Sequence, residues 1–291
     1  MQLSIISINF RKPHQAKICM AALWEHYRRE FEGNEFEYIV VDNLSGDDSV
    51  VQLKEEVGKY KNFHVVENDK NGGFGNGNNA GAKRAKGEYI LLLNDDTVVE
   101  DQGILKMLEY IKTHENVGAI GGRLLNSDGS EQSATGQFYT MLTVSLFIFG
   151  FQRIGFVNRN PATISEVDWV KGALLMMKKS VFEKIGRFDE KIWMYTEDME
   201  LCYRINKAGL ACVFFPDVKV RHSEHGSSSR TFAIVNIYKN LPYFYKKHKS
   251  PLEYHYVKGL LKLKAAFFIV VGKVLNNHYL INTYSQAYKV V

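Results

Sequence analysis

Three short stretches of this 291-residue sequence carry residue types that could do chemistry together. The first is Asn94-Asp95-Asp96, directly after the apolar run Tyr89–Leu93. Such a run delivers polar groups to the end of a buried strand, where carboxylates are costly unless compensated. A divalent cation bridging to phosphates compensates them, and hard carboxylate oxygens suit Mg2+ or Mn2+. The plainer alternative is an Asp that caps the next turn. The second stretch is Glu197-Asp198, after the aromatic Trp193-Met194-Tyr195. Two carboxylates in a first helical turn either complement the helix dipole or set a general base within reach of an incoming hydroxyl. The third is His222, followed three residues on by His225 in a Gly/Ser-rich loop. That spacing adds metal or phosphate contact to the ordinary structural uses of histidine.

Two further features could hold a ligand. Asp42 ends the apolar run Phe36–Val41, where it can accept the N3–H of a pyrimidine base or cap the loop Asn43–Asp47. Asn71-Gly72-Gly73-Phe74-Gly75-Asn76-Gly77-Asn78-Asn79 reads as a glycine-rich turn that opens a helix, a place where backbone can approach a diphosphate. Gly75-x-Gly77-x-x-Ala80 also fits a dinucleotide fingerprint. It lies in the third strand–helix unit rather than the first, which argues against that use.

The elements that must position these residues alternate. Strands are expected at Leu3–Ile8, Phe36–Val41, His64–Glu67, Tyr89–Leu93 and Val117–Gly121. Helices are expected over His14–Phe31, around Asp48–Tyr60, and from the glycine turn to Lys86. This pattern predicts an α/β fold with an open, mostly parallel sheet flanked by helices, binding ligands beyond the carboxyl ends of its strands. From Arg123 to Lys178 the alternation breaks into turns and short apolar runs. A helix is expected at Thr196–Ala208, with Thr196 as its N-cap, and a strand at Ala211–Phe215. Beyond Arg230 the pattern is helical and basic. The expected division is a domain over 1–230 and a basic helical extension over 231–291.

Composition narrows the class. Residues 239–291 hold nine Lys and one Glu, a balance of +8 within a net charge of +5, so the rest carries −3. Those lysines lack the aromatic interleaving of a nucleic-acid stacking platform, which argues against nucleic acid as partner. They fit an anionic membrane surface, with apolar area from Ala265–Gly272, or a solvated helical pair. Cys19, Cys202 and Cys212 are too scattered for a disulfide framework or a zinc site. The start lacks a basic leader, and no apolar run reaches the ~20 residues of a spanning helix. A cytoplasmic protein, peripheral on the inner face of a membrane, is the expectation. The abundant Tyr and Phe suit either sugar-stacking surfaces or an aromatic core.

Taken in order, these pieces resemble the family-2 glycosyltransferases of GT-A fold, in particular the rhamnosyltransferase-like branch. The likeness runs from Ser4-Ile5-Ile6-Ser7-Ile8-Asn9-Phe10 through Val40-Val41-Asp42-Asn43 and the glycine turn to Leu92-Leu93-Asn94-Asp95-Asp96. It continues with Trp169-Val170-x-Gly172-Ala173, Gly186-x-Phe188-Asp189-Glu190, Glu197-Asp198-x-Glu200-Leu201 and His222-x-x-x-Gly226. It covers roughly residues 2–230.

The resemblance implies an inverting glycosyltransferase dependent on Mn2+ or Mg2+, moving rhamnose or a hexose from a dTDP- or UDP-linked donor to a glycan or lipid-linked acceptor of the cell surface. It implies Asn9, Phe10 and Asp42 around the base and ribose, Gly73 and Asn78 along the donor pocket, and Asp95 near the ribose or diphosphate. Asp96 and His222 would hold the metal. Trp169, Gly172 and Ala173 would face the reacting sugar, Asp198 would be the base, and Glu197 would orient base or acceptor. The sequence has Asn94 where the family's DxD motif opens with Asp, which leaves open whether position 94 meets the metal. The alternatives are an NAD(P)- or nucleotide-binding oxidoreductase, which leaves Glu197-Asp198 and His222 unexplained, and a non-catalytic glycan-binding relative, in which the base or metal residues would normally be missing.

Overall fold

The first strand, β1 (Leu3–Asn9), is buried along nearly its whole length, as its apolar run requires. A computed structural model describes residues 1–151, 160–223 and 229–291 of the chain. After β1 come α1 (Pro13–Glu32), β2 (Phe36–Asp42), α2 (Ser49–Val57), β3 (Phe63–Glu67), α3 (Gly73–Arg84) and β4 (Tyr89–Leu93). Each crossover helix returns the chain to the same end of the sheet, so β1 pairs in parallel with β2 and β4, and β2 with β3. Asn9, Asp42 and Asn94 therefore all lie at one end, the carboxyl end of their strands. Trp24, Phe31, Phe36, Tyr38, Tyr60 and Phe63 cluster ring against ring beside this half of the sheet. These aromatics are core.

Next come β5 (Thr97–Val99), α4 (Gly103–Thr113), β6 (Val117–Leu125), β7 (Thr135–Gly136) and α5 (Met141–Ile148). They are followed by β8 (Ser165–Val167), β9 (Trp169–Val170), β10 (Leu174–Lys178), α6 (Lys179–Lys184), α7 (Glu197–Lys207) and β11 (Ala211–His222). The main sheet runs β3-β2-β1-β4-β10-β6-β11-β5, with β8 beside β11, and β7 with β9 makes a separate ribbon.

The expected parallel sheet thus describes its first half, while the second half is mixed. β10 is antiparallel to both β4 and β6, and β11 is parallel to β6 but antiparallel to β5 and β8. The reason is local. β10 enters from the irregular stretch before residue 174 rather than from a crossover helix, so its start lies beside the end of β4. There Asn94 N–H donates to the Ala173 carbonyl at 3.1 Å. β11 runs on past the expected Phe215 to His222, which stands opposite Thr97.

All of these elements except α5 belong to one compact unit, formed by residues 1–136, 160–193 and 197–223. A second unit holds α8 (Arg230–His248), α9 (Pro251–Val274) and α10 (His278–Val290). α9 starts sharply, with a reciprocal Ser250–Glu253 capping box and Pro251 in its first turn. The division expected at residue 230 is too simple, because α5 and residues 194–196 also belong with the C-terminal helices. Tyr245 Oη donates to the Tyr139 carbonyl, and Asn240 Nδ2 to the carbonyls of Met194 and Tyr195.

Candidate active site

The site grows from the end of β4. Thr97 Oγ1 donates to the Asn94 carbonyl at 2.7 Å, which turns the chain and projects Asp95 and Asp96 from the sheet end. β11 brings His222 alongside, and Ser223 N–H closes on the Asp96 carbonyl at 3.1 Å. The result sets His222 Nε2 3.3 Å from Asp96 Oδ1 and 3.0 Å from Asn94 Nδ2.

Gln132 fixes the state of that imidazole. Its amide nitrogen donates to Asn126 Oδ1 and to the His222 carbonyl, so its oxygen is what faces His222 Nδ1, at 2.8 Å. The proton then sits on Nδ1, and Nε2 presents a lone pair toward Asn94 and Asp96. Asp96 Oδ1 is buried and finds no donor. Asn94 Nδ2 donates to that lone pair, but a buried carboxylate oxygen without a donor is unfavourable in a bare protein, and a cation that took the lone pair over from Asn94 would satisfy the oxygen as well.

The donor set also fits Mn2+ or Mg2+, since one carboxylate and one imidazole are ligands these ions accept. The 3.3 Å separation is near the roughly 3 Å between adjacent ligands of an octahedral ion at ~2.1 Å. No cluster of three or more His, Cys, Asp or Glu side chains is placed to hold a metal among the described residues. Asp95 lies next to this point. Burial, together with the charge of Asp96, pushes its carboxyl well above the usual range, and Lys12 pulls the other way. Residues 224–228, with His225 and Gly226 of the expected motif, lie outside the described residues.

Asp198 reaches the same end of the sheet. Its Oδ2 accepts weakly from Gly172 N–H at 3.4 Å and its Oδ1 from Met199 N–H at 2.8 Å. Gly172 precedes Ala173, whose carbonyl holds Asn94, so a short bonded path joins the side chains at 198 and 96. Asp198 is raised by burial against the pull of these two amides and Lys171. Glu197 is raised further, to about 8, by burial and the charge of Asp198, and its Oε2 finds no donor. The backbone entering α7 runs through two left-handed residues, Tyr195 and Thr196, at φ of 67° and 72°. Thr196 is therefore not the expected N-cap, and its hydroxyl makes no hydrogen bond. Strain of this kind is retained where a following group must be held in place.

The nucleotide-side candidates are more engaged with the protein than the sequence suggests. Asp42 accepts from Asn9 Nδ2, Ser45 Oγ and Ser45 N–H, so it caps its loop, the second of the two uses open to it. Phe10 is half-buried, with the Arg11 guanidinium 5.1 Å over its ring. Asn78 is buried, and its Nδ2 donates to the Phe74 carbonyl. Trp169 and Ala173 are buried as well, and Trp169 pairs with Gly136 in the β7–β9 ribbon.

The glycine turn is already helix, and its glycines admit protein. A Cβ on Gly73 would come within 1.7 Å of the Trp193 carbonyl oxygen, and its φ of +82° excludes most other residues. Phe74 N–H donates to that same carbonyl, and Gly73 N–H to Asn71 Oδ1. Gly75, Gly77 and Gly81 let Phe188, Ile8 and Ile6 approach in the same way. Gly73, expected along the donor pocket, is instead where the Trp193 segment docks. Gly73→Ala is thus expected to lower folding stability by about 2–4 kcal/mol, read as a fall in urea midpoint. An unchanged midpoint would show that the turn yields without strain.

Sequence reasoning missed Gln132, which lies in a stretch with no periodicity. It also left Asn76, Asn79 and Glu190 without a role. Asn79 Nδ2 donates to Glu190 Oε1 and Asn76 Nδ2 to Glu190 Oε2, while Phe188 N–H donates to Asn79 Oδ1, latching residues 188–190 onto α3.

Comparison with known proteins agrees with this layout. The sequence model described as Glycosyl transferase family 2 matches residues 4–186. The low-salt glycan biosynthesis hexosyltransferase Agl10 of Haloferax volcanii is 26% identical over 215 residues, covering 72% of this chain and 62% of that protein. An N-acetylglucosaminyl-diphospho-decaprenol L-rhamnosyltransferase of Mycobacterium tuberculosis is 27% identical over 155 residues, 49% of each protein. The chain spans less than two thirds of the length of either relative. Among solved structures, the mannosyltransferase PcManGT of Pyrobaculum calidifontis, in complex with GDP-Man and Mn2+, superposes with a TM-score of 0.62 at 14% identity, covering 98% of this chain and 73% of that one. Staphylococcus aureus TarS 1-349 gives 0.59 at 16% identity, over 99% and 81%. These two establish the fold, and with a sequence match extending over more than half of its length, the chain belongs to glycosyl transferase family 2.

Proposed function

We propose that this chain is an inverting, metal-dependent glycosyltransferase acting on a nucleotide-diphosphate sugar in the cytoplasm. The observation that carries the reading is the buried, donorless Asp96 Oδ1 set 3.3 Å from the His222 Nε2 lone pair at the carboxyl end of the sheet. Asp96 and His222 would hold Mn2+ or Mg2+, and the donor's diphosphate with water would complete its coordination. When bound, the ion supplies positive charge against the negative charge that builds on the departing nucleoside diphosphate. Asp95 lies nearest to the ribose or diphosphate, and Asn9, Phe10 and Asp42 shape the base end, with Asp42 acting through the loop it caps. Trp169, Gly172 and Ala173 face the sugar.

Asp198 takes the acceptor hydroxyl's proton as the new C–O bond forms, since a neutral hydroxyl is a poor nucleophile. Glu197, protonated near neutral pH, leaves Asp198 as the charged member of the pair. One base acting in one displacement inverts the anomeric carbon. The named rhamnosyl- and hexosyltransferase relatives support dTDP-rhamnose or a UDP-hexose as donor, and a glycan or lipid-linked saccharide of the cell surface as acceptor. An oxidoreductase reading loses its support, because the glycines of the fingerprint are filled by protein side chains.

A thermal-shift panel tests this. A ligand that binds only the folded state must raise the melting temperature. A dTDP- or UDP-sugar should raise it more with Mn2+ than without. A shift by NAD(P) that needs no metal, or no shift by any nucleotide sugar, would refute the proposal. Gln132 gives a second handle. Gln132→Leu frees the imidazole to change tautomer, and Mn2+ affinity measured by EPR titration should weaken about 10–100-fold. An unchanged affinity would mean that His222 needs no such partner.

A further inference from the structure

The second unit presents an apolar face that the sequence does not predict. The run Ala265–Gly272, read from sequence as surface, has both its ends buried. The large exposed apolar residues of α9 are Leu252, Tyr256, Leu263, Phe267, Val270 and Val274, spaced by four, seven, four, three and four. That spacing lines one side of a helix. Exposure is substantial, 68% at Leu263, 61% at Phe267 and 78% at Val274. Leu142 on α5 and Phe149 just past its end are also exposed, and Ser145 between them hydrogen-bonds the Tyr256 hydroxyl at 2.8 Å. The two apolar stripes therefore meet at that bond. Stripes this long on a folded protein mark a contact surface.

Charge decides what the contact is. Lys262 and Lys273 lie on one flank of the α9 stripe, roughly 100–120° around the helix from it. From Arg230 to the last residue the chain carries ten Lys and Arg against one acid, Glu253. Glu253 is already engaged in capping Ser250. A second copy laid on this face would bring lysine against lysine, with no carboxylate free on these helices to answer. An anionic bilayer answers the flanking lysines, while the apolar side chains enter the acyl boundary and Tyr256 sits at headgroup level.

From this geometry we infer that the α9 stripe, joined by the Leu142/Phe149 edge of α5, seats the helical unit on an anionic lipid surface. This inference stands apart from the sugar-transfer reading, since it uses no residue of the active site.

Co-sedimentation of the full chain with phosphatidylcholine vesicles, with and without phosphatidylglycerol, tests it. The wild type should pellet with the anionic vesicles, less at high salt, and hardly with the neutral ones. Leu263→Gln/Phe267→Gln/Val270→Gln should cut the bound fraction at least ~10-fold, because apolar burial sets the insertion. These positions are exposed, so melting temperature and nucleotide-sugar binding should match the wild type, which separates loss of seating from loss of fold or donor site. Equal pelleting of variant and wild type would overturn the inference, as would a wild type indifferent to anionic lipid. A wild type that elutes as a dimer, made monomeric by the triple variant, would overturn it by assigning the face to a second copy.

Discussion

Asp198→Asn should lower transfer turnover by about 10²–10⁴-fold while nucleotide-sugar affinity stays within a few-fold of wild type. The amide keeps the size of the carboxylate, and its one oxygen can still accept the 2.8 Å bond from Met199 N–H, giving up only the weak 3.4 Å contact with Gly172 N–H, so the local structure survives. What it loses is the ability to take a proton. Steady-state kinetics beside calorimetric donor binding separates the two effects, and near-normal turnover would remove Asp198 from the role of base. A pH profile adds a signature. Burial raises Asp198, so the acid limb of the rate should lie above the ordinary carboxylate range.

The neighbouring Glu197 gives a matching effect on stability. Its folded value is about 8 against 4.5 when free, so between these pH values the folded state binds more protons than the unfolded one. Stability from this group is complete below the lower value and is lost as pH rises to the upper one. Glu197→Gln should therefore gain stability relative to wild type progressively over that window, as read by urea melts at successive pH values. A constant difference would show that Glu197 titrates normally.

The second large effect is expected at the metal. Asp96→Ala should reduce turnover by about 10³-fold or more, since charge stabilisation by a bound ion is worth several kcal/mol and each 1.36 kcal/mol is tenfold. Chelation of the wild type should do the same and be reversed by Mn2+, whereas the variant should stay inactive at any Mn2+ concentration tested. The metal-free protein provides the control. Asp96 raises its neighbour Asp95 by like-charge repulsion and leaves Oδ1 without a donor. Removing its charge should thus leave the melting temperature of the metal-free protein equal or higher. A large fall would mark Asp96 as a structural residue instead.

How much of this was legible in the residues follows from range. Tyr89–Leu93 reads as a buried strand because five successive apolar residues have few other uses, and β4 has those bounds. α7 and the first strands were legible by the same short-range periodicity. α4 was not recognised, although its buried residues Ile104, Met107, Leu108 and Ile111 follow helical spacing. β10's antiparallel insertion has no local signal, since direction within a sheet depends on where the chain arrives from. Yet that insertion brings Gly172 and Ala173 to Asn94.

At the site, the resemblance singled out Asp96, Asp198 and His222, and the structure brings them to one sheet end. Residue type alone could not separate a glycine that admits a ligand from one that admits Trp193, as at Gly73. Nor could it find Gln132, whose partner lies ninety positions away. Asn94 needed the fold too. Its side chain meets His222 Nε2, so the departure from a strict DxD motif still touches a residue proposed to hold the metal.

The central claim is that Asp96 and the His222 Nε2 lone pair hold one ion where the donor's diphosphate sits. Electron spin-echo modulation of Mn2+, bound to the protein with UDP or dTDP, tests this most directly. The account predicts an imidazole nitrogen coupling in the wild type that disappears in His222→Gln. A wild-type spectrum without any such coupling, with Mn2+ and nucleotide bound, would contradict it.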